Sequence, residues 1–88
     1  MTAMTVTMQI ASGLEARPVA MLVQVANQFE SSIYLESESR RVNAKSIMGL
    51  MTLGLRAGED VTIKADGQDE STAVNRIGEY LTGKYVFA

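Results

Sequence analysis

Two short stretches of this 88-residue chain carry residue types at spacings that could do chemistry. The first is Ser12-Gly13-Leu14-Glu15-Ala16-Arg17-Pro18, a turn that runs into a helix N-terminus. Free backbone N–H groups and the positive end of the helix dipole favour an anion there. Arg17 adds a planar donor suited to phosphate or carboxylate. A plainer account also exists: Glu15 complements the dipole, worth about 0.3–1 kcal/mol, and Arg17 is a solvated charge. The second stretch is Asn43-Ala44-Lys45-Ser46-Ile47-Met48-Gly49-Leu50-Met51. Its plain account makes Ser46 a structural N-cap worth about 1 kcal/mol and the methionines core filler. Its functional account makes Ser46 an exposed hydroxyl at a helix start. A phosphoryl group there is favoured by the dipole and can be read by a partner. Positions 46–53 carry Ile47, Met48, Leu50, Met51 and Leu53. One face of two turns cannot bury them all, so part of this surface is expected to be an exposed docking patch.

The residue types that are missing narrow the chemistry further. There is no Cys, hence no disulfide and no thiolate metal site. There is no His, hence no Ser–His or Cys–His catalysis and no imidazole ligand. Only scattered carboxylates and hydroxyls remain, so no enzyme and no cofactor are expected. Eight basic residues stand against ten acidic ones. A net charge of −2 gives no basic face for direct contact with nucleic acid. The uncharged runs 18–29 and 46–55 both fall short of the roughly 20 residues a membrane span needs. Residues 1–12 lack the basic and apolar regions of a secretory signal. The expectation is a single domain over residues 1–88, soluble and cytoplasmic, without a membrane partner.

The elements that must position these residues follow from periodicity. Residues 5–10 alternate, with Val6, Met8 and Ile10 inward and Met4 extending the set. Residues 16–29 read as a helix with Pro18 near its start and a core stripe of Val19, Leu22, Val23, Ala26 and Phe29. Strands are expected over 32–36 and 40–44, joined as a hairpin by Ser37-Glu38-Ser39. A two-turn helix follows over 46–53, with Ser46 as N-cap and Gly54 as stop. Residues 60–66 alternate with Val61, Ile63 and Ala65 inward. Asp69 is a candidate N-cap for a last helix over 70–82, whose buried face holds Ala73 or Val74, Ile77 and Leu81. Gly83 ends it, and the apolar tail 84–88 has no assigned place. The order is β-α-β-β-α-β-α. This is an α+β open-faced sandwich with a four-stranded antiparallel sheet and helices on one face.

The two motifs together resemble a known family. Ser12-Gly13-Leu14-Glu15-Ala16-Arg17-Pro18 looks like the active-site signature of HPr, the phosphocarrier of the bacterial sugar phosphotransferase system. Val42-Asn43-Ala44-Lys45-Ser46-Ile47-Met48-Gly49-Leu50-Met51-Thr52-Leu53-Gly54 is similar to that family's regulatory serine motif. The element order and the Ala57-Gly58 step before the fourth strand also fit. The resemblance spans about residues 4–81 and implies the HPr-like fold.

The departure is Glu15. Carrier members of the family have His at that point, which takes a phosphoryl group from enzyme I and passes it to IIA domains. A carboxylate cannot form the labile phosphoramidate, and no other His can take its place. The resemblance therefore implies loss of phosphocarrier transfer. It points to the Crh-type members, which lack the carrier His and keep the regulatory serine. By that analogy Ser46 is phosphorylated by HPr kinase/phosphorylase. The product docks a LacI-type catabolite control repressor through Arg17, Ala20, Met21, Ile47, Met48 and Met51. Glu15 imitates a phosphorylated His only weakly, with one charge in place of up to about two. Two competing readings stay open. One is an interaction module that binds enzyme I or IIA domains without phosphorylation; the other is a variant or engineered phosphocarrier HPr whose His has been replaced. The Ser37-Glu38-Ser39 turn lacks the Gly often present in the family, which leaves the hairpin geometry open.

Overall fold

The computed structural model describes residues 1–11 and 13–86. The elements are β1 (Thr2–Thr7), α1 (Ala16–Ala26), β2 (Ser32–Ser37), β3 (Arg40–Asn43), α2 (Ile47–Leu53), β4 (Asp60–Asp66) and α3 (Glu70–Leu81). They follow the expected β-α-β-β-α-β-α order. The strands form one four-stranded sheet in the order β1-β4-β2-β3, and every pairing is antiparallel.

Register explains why one face is covered. Met4 opposes Ile63, Ile63 opposes Leu35, and Leu35 opposes Val42, so a single apolar row crosses the sheet. Val61, Ile63, Ala65, Ile33 and Leu35 are buried beneath Val19, Leu22, Val25 and Ala26 of α1, Leu50 and Leu53 of α2, and Ala73, Val74, Ile77 and Leu81 of α3. The other face is polar and open, as antiparallel sheets allow. There Thr5 and Thr62 share a 2.9 Å hydroxyl contact. Lys64 and Arg41 reach Glu36 at 3.1 and 3.9 Å.

Several boundaries depart from the pattern-based expectation. β1 starts at Thr2 and ends at Thr7, although Met8 stays fully buried. Its ladder ends at the Thr7–Asp60 pair, where β4 begins. The Met8 N–H then turns to Glu59 O (2.8 Å) and the Gln9 N–H to Leu81 O (2.9 Å). Burial thus outlasts pairing. α1 closes at Ala26 rather than at 29, because the N–H groups of Gln28 and Phe29 bond three residues back, to Val25 O and Ala26 O. Val25 is fully buried and was absent from the expected stripe, whereas Val23 and Phe29 are only half-buried. β3 stops at Asn43, with Ala44 buried just beyond it.

The hairpin forms without a glycine. Ser37 pairs with Arg40, and Glu38 takes the turn with a positive φ of 56°. Asp69 stands at the N-cap position of α3, but its carboxylate does not bond its own helix. It accepts instead from the Ser31 hydroxyl and from the N–H groups of Glu30 and Ser31. The Ser31 hydroxyl and these backbone donors hold the Asp69 carboxyl below the usual carboxylate range. α3 begins at Glu70 and ends at Leu81, one residue before the expected end. The tail also finds a place. The N–H groups of Lys84 and Tyr85 both reach Glu79 O, and the Tyr85 ring meets Tyr80 edge-on at 6.3 Å. Val86 is exposed, and Phe87 and Ala88, like Ser12 of the first motif, lie outside the described residues.

Candidate functional site

The approach to α1 is built on a close contact. Gly13 has φ +70°, and a Cβ there would lie 2.7 Å from Leu55 O. Only glycine meets both conditions. The next N–H, of Leu14, donates to the same Leu55 carbonyl at 2.9 Å, and the Leu14 side chain is buried. The loop before α1 is therefore stitched to the residue just after α2. This junction joins the two motifs, which lie about thirty positions apart in sequence.

Glu15 takes the N-cap place of α1 in an extended conformation. Its carbonyl accepts the Val19 N–H at 3.0 Å, but its carboxylate makes no capping hydrogen bond and is exposed. Arg17 is exposed and has no ion-pair partner among the described residues. Pro18 sits in the first turn, where no N–H is needed. The Tyr80 hydroxyl of α3 donates to the Pro18 carbonyl at 2.8 Å. Burial raises the Tyr80 pKa, which keeps this donor protonated. The fold thus holds the α1 N-terminus firmly, while no described residue bonds the carboxylate of Glu15.

α2 is built the opposite way, with its serine bound into the structure. Ser46 is the N-cap, and its Oγ accepts the Gly49 N–H at 3.1 Å while its carbonyl accepts the Leu50 N–H at 3.0 Å. The hydroxyl is half-buried and donates to no described residue. Gly49 makes room for this cap. A Cβ there would stand 3.3 Å from Ser46 Oγ and 3.4 Å from Val42 Cβ. The chain before Ser46 is tied down as well. Asn43 Oδ1 accepts the Lys45 N–H (2.8 Å), and Lys45 Nζ donates to Phe29 O (2.7 Å). Gly54 closes the helix in the left-handed conformation, as expected.

Leu50 and Leu53 face the core. Ile47 and Met51 are each 49% exposed and Met48 is 80% exposed. On α1, Ala20 is exposed and Met21 is half-buried. α1 packs against α2, so all six expected docking residues lie on two neighbouring helices. One contributor escaped the sequence reasoning. Arg40, at the start of β3, donates Nη1 to Thr52 O at 3.0 Å and Nη2 to Leu53 O. The available signal was the lack of any basic residue in the last turn of α2. Among the described residues no group of three or more His, Cys, Asp or Glu is placed to hold a metal. No described helix is long and apolar enough to cross a membrane.

Comparison with known proteins agrees with the sequence resemblance. Residues 2–82 match the family described as PTS HPr component phosphorylation site. The chain is 46% identical over 76 residues to the HPr-like protein Crh of Bacillus subtilis, covering 86% of this chain and 89% of that one. It is 43% identical to the HPr-like protein Crh of Halalkalibacterium halodurans, covering 86% and 90%. The crystal structure of HPr-C-His from Thermoanaerobacter tengcongensis superposes with a TM-score of 0.90 at 40% identity, covering 97% of this chain and 96% of that one.

Proposed function

This chain belongs to the HPr family, and on that premise we propose that it acts as a cytoplasmic, HPr-like regulator of carbon catabolite repression, switched by phosphorylation of Ser46. The carrying observation is the design of α2. Its cap is a half-buried serine hydroxyl, and its next turn presents Ile47, Met48 and Met51 to solvent. A chain of this size has few apolar side chains to spare from its core. Three on one short helix make sense as contact area. HPr kinase/phosphorylase transfers the phosphoryl group of ATP to Ser46 Oγ. The modified α2, with Arg17, Ala20 and Met21 of α1, then docks a LacI-type catabolite control repressor. Apolar area supplies contact, and the phosphate charge decides when contact forms.

Glu15 supports the same reading by elimination. Reversible relay in the family needs a nitrogen nucleophile, and the chain has no imidazole anywhere. Phosphotransfer from enzyme I is therefore absent, and regulation at Ser46 is what remains. The test is incubation with HPr kinase/phosphorylase and ATP. Label is expected at Ser46 and absent from Ser46→Ala. Lack of incorporation in the unaltered protein refutes the reading and favours a passive module that binds enzyme I or IIA domains unmodified.

A further inference from the structure

α2 is the shortest helix among the described residues. It has seven residues, fewer than the roughly 12–15 at which an isolated helix becomes marginal in water. Its first turn holds no acidic residue and its last turn no basic one. No charged residue of its own complements its dipole. The compensation comes from outside, as the two bonds from Arg40 to Thr52 O and Leu53 O. A guanidinium fork spans two successive carbonyls, which a single ammonium cannot do in the same geometry. It also sets a full positive charge at the negative end of the helix. The adjacent arginine is engaged elsewhere. Arg41 points to the open sheet face, 3.9 Å over the Tyr34 ring and 3.9 Å from Glu36. Two neighbouring residues of one type thus serve opposite sides of the sheet, and of the two only Arg40 reaches α2.

The clamp sits where the exposed patch is most vulnerable. Helix ends fray from the last turn, and the last turn here contains Met51 between the core anchors Leu50 and Leu53. We propose that Arg40 is a positioning residue for the docking surface: it keeps the last turn of α2 closed, so that Ile47, Met48 and Met51 are presented as one preformed patch. This rests on the reading of α2 as the docking helix. A preformed patch binds better because less ordering is left for the moment of association.

The test uses three full-length variants, Arg40→Gln, Arg40→Lys and Arg41→Gln. Amide hydrogen exchange is followed by NMR in the unphosphorylated proteins, and repressor binding is measured after phosphorylation at Ser46. In Arg40→Gln the amides of residues 51–54 should exchange about tenfold faster, with β4 amides unchanged. Its repressor affinity should fall about three- to tenfold. Arg40→Lys should recover only part of both effects, because it restores charge without the fork. Arg41→Gln should leave α2 exchange and affinity at the unaltered values. Wild-type exchange in Arg40→Gln overturns the proposal, as does faster exchange with unchanged affinity, or an equal effect from Arg41→Gln. If the phosphorylated wild-type protein fails to dock, the docking reading falls. The clamp then stands or falls on the exchange data alone.

Discussion

Truncating Met48 should separate folding from docking. Full burial of a methionine side chain is worth about 1.5–3 kcal/mol. Met48 is 80% exposed in the folded chain, so folding draws on about a fifth of that and a partner can draw on the rest. Alanine also has the best helix propensity. Met48→Ala should therefore change stability by no more than about 0.5 kcal/mol. Docking of the Ser46-phosphorylated protein should lose up to about 1.2–2.4 kcal/mol, or about 8- to 60-fold in affinity. Leu50, two positions on, is fully buried and should behave inversely. Leu50→Ala should cost about 2–5 kcal/mol of stability through lost transfer energy and the cavity it leaves. Urea melts of the unmodified proteins and calorimetric titration of the phosphorylated ones against the repressor measure both quantities. Unchanged affinity in Met48→Ala, or a stability loss comparable to that of Leu50→Ala, would refute the division of α2 into a core face and a contact face.

Other positions carry independent expectations. Glu15→His places an imidazole at an exposed N-cap two residues before Arg17, which has no ion-pair partner among the described residues, so enzyme I and phosphoenolpyruvate should introduce acid-labile label that the unaltered chain does not take up. Glu15→Gln should leave the rate of Ser46 phosphorylation unchanged in kinase assays, since surface charges are screened over about 8 Å at physiological salt. Glu38→Gly should stabilise the hairpin by about 1 kcal/mol, because Glu38 holds φ 56°; a thermal melt should shift upward by about 4–8 °C. Acid unfolding should depend on Glu70, whose carboxyl is held down to about 2 by the Thr2 hydroxyl, the Met1 ammonium and the Gly67 N–H. A folded-state pKa below the unfolded one stabilises above the unfolded value and is lost as pH falls toward the folded one. The contribution should fade between about pH 4.5 and about 2, and in Glu70→Gln the stability curve should be flatter there.

Patterns that depend on neighbours in sequence carried over to the structure well. β4 alternates without interruption, is central in the sheet and has the expected bounds. α2 has both its caps, because Ser46 and Gly54 act within one turn of themselves. Features that depend on distant partners did not carry over. The end of β1 is set by where β4 begins, more than fifty residues away. Asp69 looked like a helix cap because such a cap is local, yet it is used by the loop at Glu30 and Ser31. Arg40 is one of two adjacent arginines, and only the side of the sheet on which each lies tells them apart. The same limit applies to the site. That some apolar residues of α2 are exposed was expected from counting apolar positions against available area, while the family resemblance singled out Ile47, Met48 and Met51. The stitch from Gly13 and Leu14 to Leu55, which brings the two motifs together, has no trace in either motif alone.

The two motifs differ in what the fold asks of them, and this bears on the proposal that regulation at Ser46 does not depend on the residue at position 15. The Glu15 carboxylate bonds no described residue, so among the described residues nothing in the fold requires that side chain. The Gly13–Leu55 contact and the Tyr80–Pro18 bond hold the start of α1 without using the Glu15 side chain. Ser46 is different, since its Oγ is one of the atoms that hold α2 together. A group added to that oxygen acts directly on the helix that bears Met48 and Met51. A charge at position 15 can only act through space, across solvent that screens it. On the proposed reading, a phosphoryl group on Ser46 is mechanically connected to the exposed face of α2 in a way that a charge at position 15 is not, and it requires no nitrogen at position 15.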